Sequence, residues 1–404
     1  MPQNAPTAAR LTPAHVVVLA GVCAALHVGK LAPAIAALQA ALGLTLLQAG
    51  FLLSLVQAAG MTAGLALGAF SDRLGGRRSV LLGLSLLSGA SVAGGVVSTV
   101  PLLMGLRALE GLGFLMVVLP APGLVRALVP VARLPAMLGL WGAYMPLGTA
   151  CVLLLGPVAI AALGWQPWWW LLGAVTGLMA LWFARAVPAA VGKPGQRRLT
   201  DGLRSTLGAL GPWLVALMFA CYSSQWLAVV GFLPTIYTQA GIAPALTGVL
   251  TALAAAANIA GNVLSGRLLQ QGVAPRALLW QGFITMAVTA VLAFADLDQP
   301  PAVRYGAVLL FSAVGGLIPG TLFSMAMRVA PGDGAVAATV GWVQQWSSAG
   351  QFLGPPLAAA LASRVGGWQF TWVFCLAVSG LGVTLAGWLA DRLAQPPQTA
   401  QDKR

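Results

Sequence analysis

The chain has 404 residues, of which 59% are hydrophobic and 7% charged, against about 25% charged in an ordinary soluble domain; this excludes a soluble globular fold and points to a polytopic membrane protein. A formal charge of +13 does not indicate nucleic acid, because the basic residues are scattered over short connections with no dense patch or interleaved aromatics. The four cysteines (Cys23, Cys151, Cys221 and Cys375) sit far apart in apolar stretches without CxxC spacing, so they read as small packing residues rather than a metal or disulfide framework.

At about 20 apolar residues per span, the chain has room for twelve membrane helices. The first six are predicted at 15–37, 46–70, 79–99, 101–123, 135–160 and 168–187, and the second six at 209–238, 244–268, 276–295, 302–326, 335–361 and 368–390. The first apolar stretch carries a lysine and has no short cleavable pattern, so it reads as a retained span. The longest polar stretch, with Lys193, Arg197, Arg198 and Arg204, divides the chain into a bundle over 1–187, a cytoplasmic linker over 188–208 and a second bundle with a short tail over 209–404.

Basic residues set the orientation. With the N-terminus in the cytoplasm, only Arg304 and Arg364 among the loop cations fall outside, which predicts that both termini are cytoplasmic. The halves also repeat one another. Gly164-Trp165-Gln166 matches Gly367-Trp368-Gln369, Gly139 and Gly148 match Gly341 and Gly350, and Ser71-Asp72-Arg73-Leu74 matches Ser265-Gly266-Arg267-Leu268. Six spans per repeat preserve orientation, giving two parallel repeats about an axis along the membrane normal.

Charges inside spans mark the candidate site. In the fourth span Arg107 and Glu110 lie three residues apart on one helical face, where they can neutralise each other. A charge at mid-membrane depth costs about 2.5–3.5 kcal/mol on insertion scales, so the pair is either structural or functional. Lys30 lies near the middle of the first span, too deep to snorkel, and His27 precedes it by one turn on the same face. Glu110 is the only carboxylate predicted inside the membrane, and with Lys30 and Arg107 it leaves a net charge of +1, which favours a monoanionic ligand. Glu110 by elimination, and His27 by its ordinary pKa, are the candidate proton carriers.

The second half contributes uncharged polar and aromatic groups: Tyr222, Gln225 and Trp226 in the seventh span, Asn258 and Asn262 in the eighth, and Gln344, Gln345, Trp346, Ser348 and Gln351 in the eleventh. Tyr144 and Trp141 belong to the fifth. Such groups serve either as interhelical glue or, together, as a pocket lining. Trp168, Trp169 and Trp170, at a span end, read as an interfacial anchor.

The stretch from Gly68 to Arg78, with Asp72, Arg73, Gly75, Gly76, Arg77 and Arg78, resembles the loop signature of the major facilitator superfamily, with the final basic pair one place late. Arg107, Glu110, Gly111 and Gly113 are similar to that family's fourth-span signature. Within the family, Leu138-Gly139-Leu140-Trp141 with Gly164-Trp165-Gln166 resembles the cyanate and nitroimidazole transporter-like group, whereas Arg107 and the loop resemble the drug–proton antiporters. The resemblance implies a secondary transporter of the bacterial inner membrane, two bundles rocking about a midplane site, and a cytoplasmic gate at Asp72, Arg73, Arg77 and Arg78. The expected cargo is a small, anionic organic solute moved with protons, bound by Lys30, Arg107, Tyr144, Tyr222, Gln225, Trp226, Asn258, Gln344, Gln345 and Trp346. Drug–proton antiport is the alternative. No phosphate loop, triad or metal cluster points to enzyme chemistry, ATP or a cofactor, and a monomer in the lipid bilayer is expected. Whether Arg107 touches the substrate or only tunes Glu110 stays open.

Overall fold

The computed structural model describes residues 11–62, 64, 74–130, 133, 137, 140–189, 200–332 and 335–394. Among them nine helices are long and apolar enough to cross a membrane, which we number with three further helices in chain order. These are α1 (Pro13–Leu42), α2 (Leu46–Thr62), α3 (Gly76–Gly94), α4 (Val100–Leu128), α5 (Leu140–Leu163) and α6 (Trp165–Ala186). In the second half follow α7 (Leu210–Gln239), α8 (Pro244–Gln270), α9 (Pro275–Phe294), α10 (Pro301–Arg328), α11 (Val336–Val365) and α12 (Thr371–Ala394). The fold is the all-helical, twelve-span architecture that the hydropathy pattern predicts.

Local chemistry sets the helix ends. Proline stands in the first turn of α1, α4, α8, α9 and α10, where its missing N–H is no loss. Thr45 and Gln48 form a reciprocal capping box at the start of α2. The twelfth span begins later than its repeat implies: Trp165 opens α6 directly, whereas Trp368 and Gln369 lie in the turn and α12 starts at Thr371. Part of the expected linker is also ordered. Thr200–Gly208 is a short helix tied to α11 through the Thr206 and Thr339 hydroxyls, 3.1 Å apart.

Two helices break in ways that matter for the site. In α1 the α-helix ends at Gly29, and Ala32–Ala34 form a 3₁₀ turn around Pro33 before helix resumes at Ile35. In α2 it ends at Ser54 and passes into the 3₁₀ turn Leu55–Gln57. Each break leaves carbonyls in the last turn without intrahelical donors. Gly111 then lets α4 lie directly on the second break, since a Cβ there would collide with the Val56 carbonyl.

The two sets of six helices meet along α2 with α11 and α5 with α8. On the first seam Gln57 donates to Gln351 (3.0 Å), Ser348 donates to Gln57 (3.3 Å) and Gln345 donates to Met61 O (2.9 Å). On the second, Gly248 packs against the Leu153 and Leu154 carbonyls. Outward faces carry exposed leucines such as Leu154, Leu155, Leu178 and Leu253, as lipid contact requires.

Candidate functional site: a buried ion cluster

The breaks in α1 and α2 put backbone acceptors where α4 carries its arginine. Arg107 donates from Nη1 to His27 O (2.7 Å) and from Nε to Leu52 O (3.2 Å), one orphan carbonyl from each broken helix. From Nη1 it also reaches Glu110 Oε2, one turn along α4, at 2.5 Å. The other carboxylate oxygen, Oε1, accepts from Lys30 Nζ. Lys30 Nζ also donates to Ser91 Oγ of α3 (2.8 Å) and to His27 Nδ1 (3.3 Å), and lies 4.9 Å from the centre of the Trp169 ring of α6. The Lys30 carbonyl, freed by the break at Pro33, accepts from Trp168 Nε1 at 3.1 Å.

All four ionisable side chains are buried: Arg107, Lys30 and His27 at 0% exposure and Glu110 at 1%. Their hydrogen-bond pattern assigns a protonation state to each. Thr176 gives its one hydrogen to Leu172 O, so it accepts from Nε2 of His27 at 2.8 Å, and Nε2 carries the hydrogen. Nδ1 is then a lone pair facing Lys30. Ser91 likewise gives its hydrogen to Trp169 O (2.8 Å) and accepts from Lys30. The ammonium thus uses its three hydrogens on Glu110, Ser91 and His27. Lysine and arginine are cationic, the glutamate anionic and the histidine neutral, a net charge of +1. One donor is left over: Nη2 of Arg107 is buried with no hydrogen-bond partner among the described residues.

The sequence-derived residues of the second half fall into other groupings. Tyr222 and Asn258 bond each other, and Asn258 also donates to Ser312 O (2.9 Å). Trp226 donates to Ser312 Oγ (3.1 Å), which joins it to that network. Gln225 accepts from Ser379 of α12 (3.0 Å) and donates to Cys221 O. Trp346 packs with Trp213 and Trp342, Gln345 reaches Met61 O on α2, and Gln344 is half-buried on the same helix. Tyr144 stacks on Trp141 with ring centres 4.4 Å apart. None of these side chains hydrogen-bonds the ion cluster among the described residues. Of the expected gate, Asp72 and Arg73 lie outside the described residues, Arg78 is exposed, and Arg77 binds Val187 O and Ala184 O at the end of α6, within its own half.

Several site residues were not legible beforehand. Trp168 and Trp169 are not an interfacial anchor: at 2% and 0% exposure they wall the Lys30 site, and of the three tryptophans only Trp170 is exposed, at 43%. Their position three and four residues into α6 faces the break in α1. Thr176 is the single hydroxyl of an apolar helix, and Ser91 is one of four serines in α3 with nothing in the pattern to single it out. The only advance signal was chemical, since a buried ammonium needs three acceptors and Glu110 supplies at most two.

A polytopic helical chain that buries paired charges among its spans has the build of a membrane transporter. The sequence profile of the Major Facilitator Superfamily matches residues 17–346, and the chain belongs to that family, which makes it a transporter rather than an enzyme. It is 29% identical over 325 residues to monocarboxylate transporter 11 of Mus musculus, covering 76% of this chain and 71% of that protein. Among solved structures it resembles an inward-facing, occupied bacterial homolog of the human lysosomal transporter Spinster, with a TM-score of 0.77, 14% identity and 94% and 96% of the two chains covered. It also resembles a D-xylose–proton symporter, with a TM-score of 0.73, 16% identity and 93% and 96% covered. At that identity these structures bear on the fold alone.

Proposed function

We propose that this chain is a secondary active transporter that moves a small organic monoanion together with a proton by alternating access, with Lys30 and Arg107 as its anion-binding groups. One observation carries this reading: among the described residues two cations converge on a single buried carboxylate, leaving a charge of +1 and an unpartnered guanidinium nitrogen. A buried surplus of positive charge is costly unless an anion completes it during the cycle. The relative from mouse is named for monocarboxylates, which agrees with this class of cargo, and one neighbour of the same fold is named for proton symport of a sugar.

In this reading Glu110 or His27 receives the proton. Tyr144, Tyr222, Gln225, Trp226, Asn258, Gln344, Gln345 and Trp346 shape the path for the organic body, and Asp72, Arg73, Arg77 and Arg78 serve the gate on the linker side. The halves 1–187 and 209–404 rock about the site as a monomer in a bacterial-type inner membrane, with the linker in the cytoplasm.

Uptake into proteoliposomes tests the proposal, using a panel of small monocarboxylates and cationic amphipathic drugs, with and without a pH gradient. Saturable, acid-driven uptake of at least one anion is expected. Lys30→Gln is expected to weaken anion affinity about tenfold or more, the worth of one charge-assisted hydrogen bond. Saturable uptake of the cations with none of the anions would replace this reading with drug–proton antiport.

A further inference from the structure

The ion cluster contains a competition that its static pairing conceals. Nδ1 of His27 stands 3.7 Å from Glu110 Oε1, the same oxygen that Lys30 holds. Two nitrogens thus face one acceptor, and only the lysine is charged in the observed arrangement. We propose that His27 is the proton acceptor of the transport cycle and acts by charge substitution: its protonated Nδ1 takes the place of Lys30 on Glu110 and releases Lys30 to the substrate anion. The inference rests on the anion–proton reading above and assigns the proton between its two candidates.

The step balances. A proton delivered from water on the acidic side forms an N–H bond with the Nδ1 lone pair, and the new N–H donates to Oε1. The freed ammonium and Nη2 of Arg107, both beside Glu110, then face the substrate carboxylate. The resting charge is +1. A proton alone raises it to +2 and an anion alone lowers it to zero, whereas both together restore +1. The added proton and the bound anion attract one another strongly in a low-dielectric site, so each ligand favours the other, and the coupling is reciprocal.

The groups facing His27 permit this exchange. Lys30 on its own helix and Glu110 and Arg107 on α4 are the charged groups that act on it. Of the other helices on α1, α3 and α6 bring the neutral hydroxyls of Ser91 and Thr176 to the cluster. The titratable groups of α5, Tyr144 and Cys151, make no bond to it, and Arg126 at the end of α4 is exposed.

The chain has only two histidines, so a His15→Gln background isolates His27 spectroscopically. Glutamine at that position preserves the capping box that His15 makes with Thr12. Untagged protein in this background is titrated with pyruvate and lactate at constant pH, and nitrogen-15 resonances report the imidazole. The expected result is conversion of the neutral Nε2–H form to imidazolium as anion binds, with about one proton taken up per anion. His27→Gln in proteoliposomes should abolish the roughly tenfold accumulation that a gradient of about one pH unit sustains through a one-to-one symporter, with anion exchange surviving only at lower affinity because Lys30 stays on Glu110. Anion binding that leaves His27 neutral, or acid-driven accumulation that survives in His27→Gln, would overturn the charge substitution and leave anion transport standing. Failure of the parent protein to bind or transport any monocarboxylate would remove the anion reading and this inference with it.

Discussion

The two halves of the molecule build the same internal tie and fill it with different chemistry. In the first, α1 is joined to α6 through His27 and Thr176; in the second, α7 is joined to α12 through Gln225 and Ser379. The pairs lie about two hundred residues apart and occupy corresponding helices of the repeat. Around the first tie stand Lys30, Arg107 and Glu110; around the second stand Cys221 and the neutral network that Tyr222 and Trp226 of the same helix make with Asn258 of α8 and Ser312 of α10. The neutral version shows that this fold needs no buried charge to hold its first and last spans together. Buried ion pairs are weak contributors to stability compared with well-packed alternatives. The charges of the first half are therefore more than the tie needs for stability, which supports their proposed role in transport, and the second half is the internal control.

The sharpest way to break the comparison is to remove the shared anion. Glu110→Leu leaves two buried cations facing each other, and the loss of one partner from a buried ion pair is expected to lower stability by about 3–5 kcal/mol. Thermal unfolding in detergent measures it. A loss below about 1 kcal/mol would mean that the cluster behaves as a solvated surface pair, and the contrast between halves would have no energetic basis. Arg107→Lys asks a finer question, since it keeps the charge but cannot span His27 O, Leu52 O and Glu110 together. The expected loss is about 1.5–3 kcal/mol, with proteolysis or hydrogen exchange rising at the breaks in α1 and α2. A lysine variant as stable as the parent would show that charge alone, rather than the guanidinium fork, holds the broken helices.

How far these features could be read in advance follows the same division. Hydropathy reported the spans because a bilayer demands uninterrupted apolar length; among the described residues nine helices have it, and three further ones stand at the other predicted spans. Lys30, Arg107, Glu110 and His27 were visible because charge inside a span is rare enough to signal on its own. Their convergence was not visible, since it depends on Pro33 breaking α1 and on Gly111 admitting α4 against the Val56 carbonyl, both of which act through three-dimensional packing. Trp168 and Trp169 were misplaced because a tryptophan run at a helix start has the same composition whether it faces headgroups or a neighbouring helix; only the direction of each side chain decides. In the second half, Gln225 reads as pocket lining, and its burial and its bonds to Ser379 and Cys221 are details that no sequence pattern announces.

That last pair supplies the mildest and most discriminating test of the comparison. Gln225→Leu alone leaves the Ser379 hydroxyl buried without its acceptor, and Ser379→Ala alone leaves the amide oxygen of Gln225 unpaired, so each single variant is expected to lose about 1–3 kcal/mol. Replacing both by apolar groups removes the stranded partner, and the double variant is expected to return to within about 1 kcal/mol of the parent. The coupling between the two sites, read from a double-mutant cycle in thermal unfolding, should therefore be large and of restoring sign. His27→Leu with Thr176→Val, the matching change in the first half, should not recover in the same way, because Lys30 loses an acceptor that neither new side chain can replace. If both double variants recovered equally, the imidazole would be only a packing tie like its neutral counterpart. Recovery confined to the second half would show that the repeat preserves the geometry of the tie while the first half alone uses it to carry charge.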